Sequence, residues 1–110
     1  MSTRASRDAS ELGWSSDAEA VGEAAEILRA LAHPVRLRIV ELLTEGELCV
    51  KRLEELLEVS QSSVSQHLTR LRYAGLIDSE RKGHLVCYRL VDPRATEVLR
   101  PLLGQGRGNR

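Results

Sequence analysis

Aromatic side chains are scarce: Trp14, Tyr73 and Tyr88 are the only ones among 110 residues, and phenylalanine is absent. Leucine, valine, isoleucine and alanine must therefore build the core. Two cysteines, Cys49 and Cys87, are too few for a small secreted scaffold held by disulfides. No apolar run approaches the roughly 18 residues of a membrane span. The first residues also lack the basic-then-apolar plan of a secretion signal. A soluble, cytoplasmic protein with no membrane partner is expected. Net charge is also missing, because 16 basic side chains balance 16 acidic ones. Hydrophobic residues at 42% and charged ones at 29% exclude wholesale disorder, and the length suits one domain.

The neutrality hides a division. Residues 1–60 carry 7 basic and 12 acidic side chains, a net of −5, whereas residues 61–110 carry 9 and 4, a net of +5. Such a split points either to a localised anion-binding surface or to charges scattered unevenly over a solvated one.

Residues 1–15 are small and polar and read as a flexible tail, with Trp14 packing locally at its end; residues 104–110 read as a second tail. Residues 16–103 form the domain between them. Ser16 and Glu19 have capping-box spacing, and Val21, Ala24, Ala25, Leu28, Leu31 and Ala32 follow helical periodicity. Pro34 ends that helix and opens a second, with His33 near its cap, and Gly46 closes the second. Leu48 to Val50 lead into a third helix with a stripe of Val50, Leu53, Leu56 and Leu57. Glu58-Val59-Ser60 is a tight connection. A fourth helix starts at Gln61 with Ser60 as N-cap, turns Val64, Leu68 and Leu71 inward, and stops at Gly75. Leu76–Arg81 and Leu85–Val91 read as strands joined by Lys82-Gly83-His84. Asp92-Pro93 opens a last helix with Ala95, Val98, Leu99 and Leu102 inward.

The fold expected is mainly α with a small β-hairpin: a winged helix-turn-helix of about five helices and a two-stranded wing. On the fourth helix the exposed positions are read as Gln61, Ser62, Ser63, Ser65, Gln66, His67 and Arg70, with no acid among them. Hydroxyls, amides, an imidazole and a guanidinium are the groups that hydrogen-bond base edges and phosphates. Gln61, Ser62, Ser63, Ser65, Gln66 and His67 are expected to face bases. Arg70, Arg72, Arg81, Lys82 and His84 are expected to meet phosphates.

Three blocks resemble ArsR/SmtB-type regulators: Ala30-Leu31-Ala32-His33-Pro34-Val35-Arg36-Leu37-Arg38-Ile39-Val40, then Val59 to Leu68, then Lys82 to Leu90. The resemblance covers roughly residues 28–92. It implies a homodimeric repressor, paired through its first and last helices, that binds double-stranded operator DNA and releases it on a metal or chemical signal. The apolar stripes of those two helices point to the same pairing, since so small a core cannot obviously cover both.

The two metal sites usual in that family are incomplete here. The Cys-Val-Cys pattern becomes Cys49-Val50-Lys51-Arg52, with an ammonium and a guanidinium where a thiolate and an acid are usual. At the last helix Asp92 is retained, but Arg94 stands in the histidine's place. No complete metal ligand set and no resident cofactor is expected, while a metal or metalloid inducer stays open. Two readings of Cys49 and Cys87 stay open. They are small half-buried hydrophobes, or a thiol pair that senses an oxidant or a thiophilic ion, Cys49 being activated by the helix N-terminus and its basic neighbours. Enzymatic activity is not expected, for want of a nucleophile elbow, a phosphate-cradling glycine loop or paired carboxylates with a histidine. The rivals are a winged-helix protein-interaction module and a repressor of this type that senses no metal.

Overall fold

The computed structural model describes Gly13 and residues 17–104. The reading of Ser16, of Trp14 and of most of both tails falls outside the described residues. Helix α1 (Ala18–Leu31) is capped by Asp17, whose carboxylate accepts from the Glu19 amide at 2.9 Å. The acceptor is thus the residue after the serine that the capping-box spacing suggested. Helix α2 (Pro34–Thr44) starts as expected: His33 is extended and its Nδ1 accepts from the Val35 amide at 3.1 Å, while Pro34 at N1 lacks an amide that would have no partner.

Leu48–Cys49 form strand β1, followed without a break by α3 (Val50–Leu57). Glu58 then adopts left-handed geometry (φ 57°), which reverses the chain within three residues into α4 (Gln61–Tyr73). Gly75 ends α4 at φ 80°, and the Leu76 amide reaches back to the Leu71 carbonyl at 3.1 Å. Glycine adopts this left-handed conformation without the Cβ penalty of other residues. Strands β2 (Ile77–Lys82) and β3 (Leu85–Leu90) pair Lys82 with Leu85, leaving Gly83 (φ 67°) and His84 as a two-residue turn. Beside the two strands of the wing, β1 pairs with β3, giving a three-stranded antiparallel sheet in the order β1-β3-β2. Asp92 caps α5 (Pro93–Leu99), and residues 100–104 continue as a π-helical turn.

One aliphatic core binds these parts, built from Ile27, Ala30 and Leu31 of α1, Ile39, Val40 and Leu43 of α2, Leu53 of α3, Val64, Leu68 and Leu71 of α4, and Ala95 and Leu99 of α5. Several side chains of the expected apolar stripes lie outside it, Val21 and Leu28 of α1 among them. Leu56 is exposed, and Leu102 is 70% exposed because the π turn widens the last helix before it can return that side chain to the core. No helix among the described residues is long and apolar enough to cross a membrane.

Candidate nucleic-acid interface

Ser60 sets the start of α4, its hydroxyl accepting from the Ser63 amide at 3.1 Å. From there the helical period sends Val64, Leu68 and Leu71 into the core, each 1% exposed or less. The opposite face carries Gln61, Ser62, Ser65, Gln66, Thr69 and Arg72, all exposed, and α4 holds no acid along its length. A rigid helix, anchored by its buried side, thereby offers short donors and acceptors to solvent.

His67 and Arg70 depart from the exposed positions assigned to them; both are half-buried on the edge of α4 that meets α1 and α2. The imidazole of His67 lies 4.3 Å from that of His33, centroid to centroid, and its Nδ1 is 3.4 Å from a guanidinium nitrogen of Arg36. Partial burial and the adjacent His33 and Arg36 lower its pKa below the usual imidazole value. Arg70 pairs with Glu26 of α1 at 2.8 Å. The Arg70 guanidinium beside it is the main reason the Glu26 carboxyl titrates below its ordinary range. Ser63 is also half-buried. Sequence reasoning missed Glu26 and Arg36 altogether, because partners separated by a whole helix-turn-helix leave no local spacing to read.

On the wing Arg81, Lys82 and His84 are all exposed. Lys82 pairs with Glu47 at 2.9 Å, which raises its pKa. Arg89 lies between Asp78 and Glu80, at 4.0 and 3.9 Å. Arg72 and Arg81 make no ion pair among the described residues. Much of the positive half of the sequence is therefore answered by acids that the fold brings beside it.

Cys49 and Cys87 face each other across the β1–β3 pairing and are joined by a disulfide; no free cysteine remains. Of the two readings, that of unlinked hydrophobic cysteines is replaced. The bond ties the residue that precedes α3 to the second wing strand, with Cys87 buried and Cys49 half-buried.

The two family metal positions do not fit an ion. Lys51 and Arg52 are exposed cations beside Cys49. Both carboxylate oxygens of Asp92 are taken by Arg94: Oδ1 accepts from its amide and Nε at 3.0 and 3.1 Å, and Oδ2 from a terminal nitrogen at 2.8 Å. These bonds, the side-chain ones foremost, hold the Asp92 pKa below its usual value. Among the described residues, no three His, Cys, Asp or Glu side chains are grouped to hold a metal.

Residues 33–79, from the cap of α2 to the first wing strand, match the family model described as bacterial regulatory protein, arsR family. The transcriptional repressor SmtB of Mycobacterium tuberculosis is 46% identical over 81 residues, 74% of this chain and 60% of its own length. The biofilm growth-associated repressor of Agrobacterium fabrum is 39% identical over 80 residues, 73% of this chain and 68% of that protein. Among solved structures, HlyU from Vibrio cholerae superposes with a TM-score of 0.75 at 35% identity, covering 81% of this chain and all of that one.

Proposed function

The chain belongs to the arsR family of bacterial regulatory proteins, and on that premise we propose that it is a homodimeric repressor that reads double-stranded operator DNA through α4 and its wing. The observation that carries this reading is the outward face of α4: exposed, acid-free and rich in amides and hydroxyls, on a helix whose other side is sealed in the core. Gln61, Ser62, Ser65 and Gln66 supply the base-edge contacts. Arg72, Arg81, Lys82 and His84 supply the phosphate contacts. Ser63, His67 and Arg70, expected beside them, are half-buried and contribute from the edge of that face.

Pairing through α1 and the C-terminal helix is supported by the apolar side chains that stay outside the core there: Val21 and Leu28 at 59% and 54% exposed, and Leu102. A two-fold axis through that pairing would place two recognition helices about one turn of DNA apart. The chain spans 60% of the mycobacterial relative's length, so the regulated genes and partners are this chain's own to establish. The test is selection of duplexes from a randomised library, followed by competition with scrambled DNA at several salt concentrations. The expected site is palindromic and preferred over scrambled DNA, with a log–log salt slope of about −0.9 per neutralised phosphate. Equal binding to both removes the reading, and absence of DNA binding favours a winged-helix protein-interaction module instead.

The signal is read at Cys49 and Cys87. In the reduced protein their two thiols yield two electrons and two protons to hydrogen peroxide, which becomes two waters as the disulfide forms. Intact mass before and after peroxide treatment reports the bond, and operator affinity of the two forms reports the signal. Identical affinities would leave a repressor without thiol sensing.

A further inference from the structure

Arg36 uses all three of its guanidinium nitrogens at one junction. Nε donates to the Ala30 carbonyl at 2.6 Å and one terminal nitrogen to the Arg29 carbonyl at 3.4 Å, so it closes the last turn of α1. The other terminal nitrogen stands 3.4 Å from His67 Nδ1 on α4. Arginine only donates, so Nδ1 of His67 accepts and the imidazole carries its proton on Nε2. One turn further along the same edge, Arg70 meets Glu26, which also pairs with Arg29 at 3.4 Å. Two neighbouring contacts thus join α4 to the helices beside it: His67 with Arg36 and His33, and Arg70 with Glu26, which Arg29 also meets.

Positions 67 and 70 flank the outward face of α4, directly beside Gln66 and Thr69. What holds them adds to the buried Val64, Leu68 and Leu71 in fixing the rotation of that face about the helix axis. We propose that Glu26 and Arg36 are positioning residues for DNA reading: they grip Arg70 and His67, seat α4 against α1, and do so without touching DNA. This rests on the reading of α4 as the recognition helix. It also links that helix to the one whose exposed Val21 and Leu28 face the proposed partner subunit.

The sign of one substitution separates positioning from plain electrostatics. Glu26 is an acid beside a DNA-binding surface, so removing its charge should tighten DNA binding if charge alone mattered. Positioning requires the reverse. In the full-length chain, Glu26→Gln is expected to weaken binding to the selected palindromic duplex about threefold, the scale of a partly exposed ion pair. Binding to scrambled DNA and the salt slope are expected to stay unchanged, as is everything in the control Glu19→Gln. Amide hydrogen exchange of the free protein should quicken around residues 66–71 in Glu26→Gln, with the midpoint of thermal unfolding nearly unmoved. Arg36 also closes α1, so Arg36→Lys, which keeps the charge and loses the fork, tests folding as much as seating; the judgement falls on Glu26.

Tighter or equal palindrome binding by Glu26→Gln overturns the proposal, as does unchanged exchange in α4. If the wild-type chain prefers no duplex, the DNA-reading function fails by itself, and the exchange measurement still decides whether Glu26 seats α4.

Discussion

The two long sides of α4 obey different physics although one stretch of 13 residues makes both. Its inner side is Val64, Leu68 and Leu71, closed into the core, and replacing any of them changes whether the helix is held. Its outer side is Gln61, Ser62, Ser65, Gln66 and Thr69, all exposed, and on the proposed function replacing them should change what the helix reads rather than whether it folds. Between the two runs the edge of His67 and Arg70, which is polar like the outer side and packed like the inner one. Polarity therefore does not by itself identify a reading residue on a helix.

The sharpest way to break this separation is a pair of truncations two positions apart. Leu68→Ala removes a side chain that is 1% exposed and should cost about 2–5 kcal/mol of stability, by lost burial and the cavity left behind. Gln66→Ala should leave stability within about 0.5 kcal/mol yet cost about 1–3 kcal/mol of preference for the selected duplex. Denaturant unfolding and competition binding measure the two. A Gln66→Ala protein that unfolds as readily as Leu68→Ala would show that the two sides are not independent.

The element order, the aliphatic core and both sides of α4 were legible because they rest on local signals. Helical period separated Val64, Leu68 and Leu71 from their neighbours, and Ser60 and Gly75 marked the ends of α4 through capping chemistry that acts within four residues. The wing turn was legible for the same reason, Gly83 being free to adopt a positive φ. What was not legible depends on distant parts meeting. Polarity assigned His67 and Arg70 to solvent, but the partners that half-bury them, His33, Arg36 and Glu26, come from α1 and the start of α2. Whether Cys49 faced Cys87 depended on strand register across a pairing 38 residues apart in sequence. Leu102 was read as inward on a period of 3.6, which the π turn at residues 100–104 does not keep.

The wing offers the same comparison at smaller scale, between a cation the fold has answered and one it has not. Arg81 has no ion-pair partner among the described residues, whereas its neighbour Lys82 is held by Glu47. A free cation that neutralises one phosphate should take about 0.9 with it from the log–log salt slope when replaced. Arg81→Ala is therefore expected to lower the slope by about that amount. Lys82→Ala should lower it less, because an ammonium that stays paired with Glu47 on DNA neutralises less of a phosphate. Salt titrations of both variants on one duplex would decide it, and equal slopes would mean that the Glu47 pairing does not survive contact with DNA.

The smallest effect belongs to the edge itself and appears as a pH dependence. His67 titrates below its unfolded value because burial and the neighbouring His33 and Arg36 disfavour a second charge there. The unfolded chain then binds this proton more readily than the folded one. Above about pH 6.5 both states hold a neutral imidazole, and the group makes no difference to stability. As pH falls from there towards the depressed folded value, protons favour the unfolded state and stability declines; below that value the decline from this group ends. His67→Gln keeps a hydrogen-bonding side chain and removes the titration, so the decline on the acid side should flatten while stability near neutral pH changes little. Chemical denaturation across this range reads the slope directly. An unchanged slope in the variant would place the proton uptake elsewhere and return His67 to the solvent side of α4, where polarity alone had assigned it.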